Sequence, residues 1–308
     1  MKPEEPSQSV ARGGVYMTLG MLAVALMGAV VKWASSGFST ELLTSLRFVF
    51  GLVIAVAIYA LGRRISLKSD SLKIQILIGL SWVLLVGIYY LSIRFIPLMD
   101  ATLLLNTAAI FAPIFARVID GKREPRLVWI GIVIGFLGVT VVLRPGPQLF
   151  ENPISLIGIL AGIFAGLRVF LLSKVKHEPS QRTTIYSLFV GSIFCLIVMA
   201  AVGFPIQVPR WEVMLFTPRQ ILVPYFVDSS LVLAVIVLGG FSVLVNMFMA
   251  KSLRFATVGQ ISPFRYTAVA FAGFLDWSIW GVEPTWPSYV GFSLVLVGVM
   301  VIIRGSRV

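Results

Sequence analysis

The chain has 308 residues, 58% of them hydrophobic and 12% charged, with a mean hydropathy of +0.97. A soluble domain carries roughly 25% charge, so this composition excludes an ordinary water-soluble enzyme, a disordered tail and a fibrous repeat. The net charge of +12 would suggest nucleic acid on a soluble chain, but Lys and Arg also collect in the cytoplasmic loops of membrane proteins. That accounts for the excess with no nucleic-acid partner.

Apolar runs of spanning length lie at 13–33, 40–61, 74–93, 101–119 and 127–143, and again at 154–173, 183–202, 229–250, 257–280 and 286–303. In hydrocarbon every backbone polar group must be paired internally, so each run predicts an α-helix. One crossing uses about 20 residues and ten use roughly 200, which leaves no room for a separate soluble domain. The first run is too long for a signal-peptide core and is read as a permanent span.

Counting Lys and Arg by loop sets the direction. With a cytoplasmic N-terminus, 17 fall in inner segments and five (Lys32, Arg94, Arg144, Arg210, Arg219) in outer ones. The bias predicts that both termini are cytoplasmic. The long connection 203–228 is then external, and its four prolines predict an irregular surface segment. The single Cys195 permits no intrachain disulfide, and with His177 as the one histidine no Cys/His metal cluster can form. No metal or other cofactor is expected.

The two halves share residues. A shift of 160 superposes Phe95 on Phe255, Ala108 on Ala268, Phe111 on Phe271, Gly121 on Gly281, Gly131 on Gly291, Gly138 on Gly298 and Arg144 on Arg304. A shift of 138 places Gly20 and Gly28 on Gly158 and Gly166. These matches predict a duplication of five helices, one copy at 13–146 and the other at 153–305. Five is odd, so the second copy enters the membrane from the opposite side. Inverted repeats of this kind are the usual architecture of alternating-access transporters.

The segment Ser45-Leu46-Arg47-Phe48 and the pattern from Asp100-Ala101-Thr102 to Gly121-Lys122-Arg123-Glu124 resemble EamA-type members of the drug/metabolite transporter superfamily. The second copy keeps a weaker version, Gly259-Gln260-Ile261 through Gly281-Val282-Glu283. The resemblance covers the chain from about Val15 to Arg304. It implies a ten-helix inner-membrane carrier of small organic metabolites with a central cavity, and it does not identify the substrate.

A charge near the bilayer centre costs about 2.5 to 3.5 kcal/mol on insertion scales, so each one needs a reason. Arg47, Arg168 and Arg265 lie within spans. Arg265 is the sharpest candidate, because Pro263 precedes it and helical spacing puts Ala268, Ala272 and Asp276 on its face. Arg168 is read equally as a site residue and as an interfacial anchor, and Arg47 as part of the ordinary pattern. In the fourth helix Asn106 and Arg117 mirror Arg265 and Asp276, at a shift of 159 rather than 160. Asn246 is a further hydrogen-bonding candidate, and Trp82, Tyr89, Tyr90 and Tyr266 are aromatic groups able to stack on a planar ligand. Each of these has a structural alternative as a helix contact or an interfacial aromatic. Gly158, Gly162 and Gly166 predict close approach of a neighbouring helix.

No phosphate loop, HExxH, GxSxG or midmembrane carboxylate pair is present, so neither direct ATP drive nor hydrolysis is expected. Asp276, near the outer end of its helix, is the one candidate for proton coupling. The reading is a non-enzymatic carrier, monomer or homodimer, of a small anionic or zwitterionic metabolite in a bacterial inner membrane. The alternative is an exporter of amino acids or amphipathic toxic compounds in which the arginines are structural.

Overall fold

The computed structural model describes residues 9–34, 40–62, 66–92, 98–146, 155–202 and 229–305. Among them the regular elements are all helical: α1 Val10–Ala34, α2 Thr40–Leu61, α3 Leu72–Ser92, α4 Leu98–Asn106, α5 Ala108–Asp120 and α6 Arg126–Leu143. The second half supplies α7 Ser155–Lys174, α8 Ser180–Val202, α9 Ser229–Ser252, α10 Val258–Ile261, a 3-10 turn Ser262–Tyr266, α11 Thr267–Trp280 and α12 Trp286–Gly305. Among the described residues eight stretches are long and apolar enough to cross a membrane: α1, α2, α3, α4 with α5, α6, α7, α9 and α12. The chain is an integral membrane protein. The connection 203–228 and the side chain of Tyr90 lie outside the described residues.

Two of the predicted spans are broken, and at equivalent places. At Thr107 the backbone N–H bonds to the Leu104 carbonyl in a 3-10 manner, separating α4 from α5. In the second half Pro263, which has no N–H to give, sits in the 3-10 turn that separates α10 from α11. Thr107 and Thr267 each turn their hydroxyl onto the carbonyl three residues back, at 2.5 and 2.6 Å.

Both α5 and α11 then end in the same cap. Gly121 and Gly281 take φ of +67°, a left-handed conformation that costs glycine little. The N–H of Gly121 bonds to the Arg117 carbonyl and that of Lys122 to Ala116, and Gly281 and Val282 repeat the bonds onto Trp277 and Asp276. These features repeat at a spacing of 160 and settle the register. Asn106 corresponds to Tyr266, not to Arg265 as the shift of 159 suggested, and Arg117 is exposed.

The packing repeats as well. The most extensive helix pair is α6 with α12, and its backbones touch at glycines. A Cβ on Gly131 would lie 2.7 Å from the Gly298 carbonyl oxygen, and one on Gly138 would lie 2.6 Å from that of Gly291. Earlier residues meet later ones, so the helices are antiparallel. Each position also meets the counterpart of the other, as in an isologous contact. Other pairs follow suit: α1 packs on α9 and α11 as α7 packs on α3 and α5, and α2 packs on α9 as α8 packs on α3. The GxxxG stripe of α7 does what the sequence predicts, since Gly158, Gly162 and Gly166 face Leu104, Thr107 and Phe111.

Candidate functional site

Arg168 is the centre of a polar network in an apolar interior. It is 4% exposed, so it does not snorkel to an interface. A buried charge needs hydrogen-bonding partners, and here they are neutral. One Nη donates to Asn246 Oδ1, the other lies 3.6 Å from Met249 Sδ, and the guanidinium carbon sits 4.5 Å from the centre of the Trp82 ring. A cation over an indole face is attracted by the ring quadrupole. Asn246 is itself aimed, because its Nδ2 donates to the Ser242 carbonyl one turn earlier, at 2.8 Å, which leaves its oxygen for the guanidinium.

The network extends through sulfur and aromatic contacts. Met27 Sδ of α1 receives Arg47 Nη1 at 3.5 Å and the Ser242 hydroxyl at 3.8 Å. Phe48, next to Arg47 on α2, meets Trp82 edge to face with ring centres 4.7 Å apart. Arg47 is buried at 7% exposure. The positive charges of Arg265 and Arg47 both bear on Arg168. Among the described residues no carboxylate forms an ion pair with Arg168 or Arg265. Like charges brought together out of water attract an anion.

Arg265 lies in the 3-10 turn rather than on a regular α-helix, which invalidates the spacing argument that put it on one face with Ala268, Ala272 and Asp276. Its Nε and that of Arg168 have no hydrogen-bond partner among the described residues, and neither has the Tyr266 hydroxyl. Tyr266 is fully buried among Leu103, Ala109, Val139 and Val295, with its ring against Gly135. It is therefore packed between helices.

The remaining candidates are tied up locally. Asn106 Nδ2 donates to the Thr102 carbonyl at the break after α4, and the Tyr89 hydroxyl meets the Thr102 hydroxyl at 3.1 Å, joining α3 to α4. Asp276 is paired with Lys32, whose ammonium also stands 4.2 Å from the centre of the Trp280 ring. The structure thus brings together Trp82, Arg168 and Asn246 with the charges of Arg47 and Arg265, and sets Asn106, Tyr89 and Asp276 in other contacts.

A second polar cluster escaped the sequence reading. Glu178, in the turn between α7 and α8, is buried and accepts hydrogen bonds from the Ser69 hydroxyl, Gln75 Nε2 and Arg182 Nη1, while Arg254 donates to its backbone carbonyl. Burial pushes the Glu178 carboxyl up, but the bonds from Ser69, Gln75 and Arg182 and the Arg182 charge together outweigh it and hold the group below the usual carboxylate range. Burial likewise lowers Arg254. Nearby, Glu124 accepts from the Thr257 hydroxyl and the Gly259 N–H at the start of α10, at 3.0 and 3.1 Å. Ser69, Gln75 and Glu124 gave no signal in the sequence, because their partners Glu178 and Thr257 are more than a hundred positions away.

The chain is similar to the pseudopaline exporter CntI of Pseudomonas aeruginosa, 21% identical over 299 residues that cover 96% of this chain and 97% of that one. It is 20% identical to the riboflavin transporter of Vibrio cholerae, over 94% of this chain and 91% of that one. It is 22% identical to the S-adenosylmethionine uptake transporter of Rickettsia prowazekii, over 96% and 93%. A solved crystal structure covers 98% of the chain with a TM-score of 0.75 at 16% identity, a likeness of fold. The model of the EamA-like transporter family matches twice, over residues 11–144 and 152–304. The chain belongs to the EamA-like transporter family.

Proposed function

We propose that this protein is a secondary carrier, driven by exchange or by a solute gradient, that moves a small anionic or zwitterionic organic metabolite by alternating access. Two inverted five-helix halves, 13–146 and 153–305, would supply ten crossings with both termini cytoplasmic. The two family matches and the reciprocal glycine contacts of α6 and α12 support that arrangement. Rocking one half against the other exchanges the open side around a central site. The protein then sits in a bacterial inner membrane, in keeping with its bacterial relatives.

The observation that carries the reading is the buried Arg168 guanidinium. Its Nη groups meet the neutral Asn246 and Met249 and its Nε has no hydrogen-bond partner among the described residues, so its charge and that of Arg265 are left to be balanced by the cargo. Arginine suits this task because it stays ionised and can bind a carboxylate or phosphate in two-pronged fashion. Trp82 and Asn246 would fix the orientation of Arg168, and Arg265, in its irregular turn, would face the acidic group of the solute. Uptake of anionic, zwitterionic and cationic solutes into proteoliposomes tests this reading. Flux of an acidic or zwitterionic solute that is lost in Arg265→Ala and Arg168→Ala supports it, and unchanged kinetics in both variants removes it.

One observation favours a second reading. The guanidinium of Arg168 is already engaged by Asn246, Met249 and Trp82, as a structural arginine would be. The protein would then export amino acids or amphipathic toxic compounds, with aromatic side chains supplying affinity. Preferred flux of cationic amphipaths in the same assay selects this alternative.

A further inference from the structure

Two ion pairs sit at opposite ends of the bundle, and each joins the two halves. Lys32, in the last turn of α1, pairs with Asp276 of α11. Lys174, the last residue of α7, pairs with Asp120, the last residue of α5. The helix pairs are counterparts, since α1 packs on α11 as α7 packs on α5. Both pairs run parallel. Gly14 meets Phe264 at one end of α1 and Lys32 meets Asp276 at the other, while Gly158 meets Leu104 and Lys174 meets Asp120.

Their placement at opposite ends follows from α9. Gly13 of α1 lies against Ser252 and Ala256, beside Arg254, which bonds to the Glu178 carbonyl just beyond Lys174. Lys174 therefore belongs to the Gly13 end. Lys32 is nineteen residues further along α1, about 28 Å at 1.5 Å per residue.

The lysines are where helix dipoles favour them, near C-termini, but Asp120 and Asp276 occupy last turns where the dipole opposes a carboxylate. The facing lysine offsets this at each acid, and Asp120 also pairs with Lys122 at 3.6 Å. Each lysine is also over a ring, Trp280 at 4.2 Å and Phe170 at 5.1 Å. The same device thus appears once on each face, bridging the halves that alternating access would have to separate.

We propose that Lys32–Asp276 and Lys174–Asp120 are the two gates of the transport cycle. The first breaks when the bundle opens to the outside and the second when it opens to the inside, so that both are closed in the structure described here. The inference rests on the transport reading above and on its orientation. The burial of the pairs sets their order of strength: side-chain exposures are 48% and 42% for Lys32 and Asp276, against 34% and 10% for Lys174 and Asp120. Water screens the outer pair more, so the outer gate opens more easily.

The test uses accessibility and needs no identified cargo. A cysteine at Ala268→Cys, partly buried at the start of α11 just after the 3-10 turn, is placed in a Cys195→Ser background and labelled with a membrane-impermeant maleimide in right-side-out and inside-out vesicles. Lys32→Ala is expected to raise labelling from the outside by about two- to fivefold, and Lys174→Ala to raise it from the inside by a similar factor. The reversed pair Lys32→Asp with Asp276→Lys is expected to return outside labelling to the parent rate. Melting temperatures verify that the variants remain folded. Unchanged labelling in both single variants, or an equal response on both sides to either one, overturns the gates. Loss of the transport reading would show itself separately, as absence of solute flux in the parent protein.

Discussion

Thr107 and Thr267, 160 positions apart, stand at the two interruptions of otherwise continuous spans and make the same bond, hydroxyl to the carbonyl three residues earlier. Their surroundings complete the device. Thr107 is accommodated because Gly162 of α7 offers no side chain, and a Cβ there would collide with the Thr107 hydroxyl and the Leu104 carbonyl. Gly162→Ala is therefore expected to cost about 1 to 3 kcal/mol, as overpacking does, read as a fall in melting temperature in detergent. A variant as stable as the parent would show that the break does not depend on this approach.

The α6–α12 contact makes a paired prediction. Gly131→Leu and Gly291→Leu occupy equivalent positions in a reciprocal interface, and each is expected to destabilise the fold strongly and to a similar degree. Gly240→Ala is the control: nothing lies within 4 Å of a Cβ there, and alanine favours the helix by about 1 kcal/mol. Thermal unfolding of the three variants checks the set.

Much of this architecture was legible in the sequence because hydrocarbon leaves the backbone no alternative to helix, and because the repeated glycines mark backbone contacts. The breaks were legible only in part. Pro263, with no N–H to give, marks the second, but Thr107 looks apolar enough to continue, and its interruption is accommodated by packing against Gly162 of α7. Arg168 could not be told from an anchor, since depth along a helix does not reveal whether Asn246 and Trp82 face it. The singling out of Arg265 by helical spacing failed in its detail, because a 3-10 turn changes the angle per residue. Lys32 and Lys174 were counted for topology, and their partners come from the other half of the chain.

Arg168 and Asn246 should separate under substitution. Asn246→Leu leaves the guanidinium without its strong acceptor and is expected to cost about 1.5 to 3 kcal/mol, the range for hydrogen bonds to charged groups. Arg168→Met removes the buried charge altogether, and replacing such groups by apolar ones of similar size is often neutral or stabilising. Melting curves are expected to rank Asn246→Leu below Arg168→Met, and the opposite order would show that Arg168 is retained for stability.

Glu178 predicts a pH dependence with a definite sign. Its carboxyl is held below the usual range in the folded protein, by hydrogen bonds that overcome its burial. The ionised form therefore contributes stability that is fully present above the carboxylate's unfolded pKa and is lost as pH falls through the depressed folded value. Glu178→Gln is expected to be less stable than the parent at neutral pH, with the difference narrowing in acid. A constant difference across the acid range would remove this role.

The central claim is that a buried guanidinium network awaits an anionic partner. Its most direct test is the thermal shift of purified protein and of Arg168→Met against panels of anionic, zwitterionic, neutral and cationic metabolites, since a bound solute stabilises the folded state. The account predicts a rise in melting temperature with acidic or zwitterionic solutes in the parent and none in Arg168→Met. Equal stabilisation of both proteins, or a response confined to cations, would contradict it.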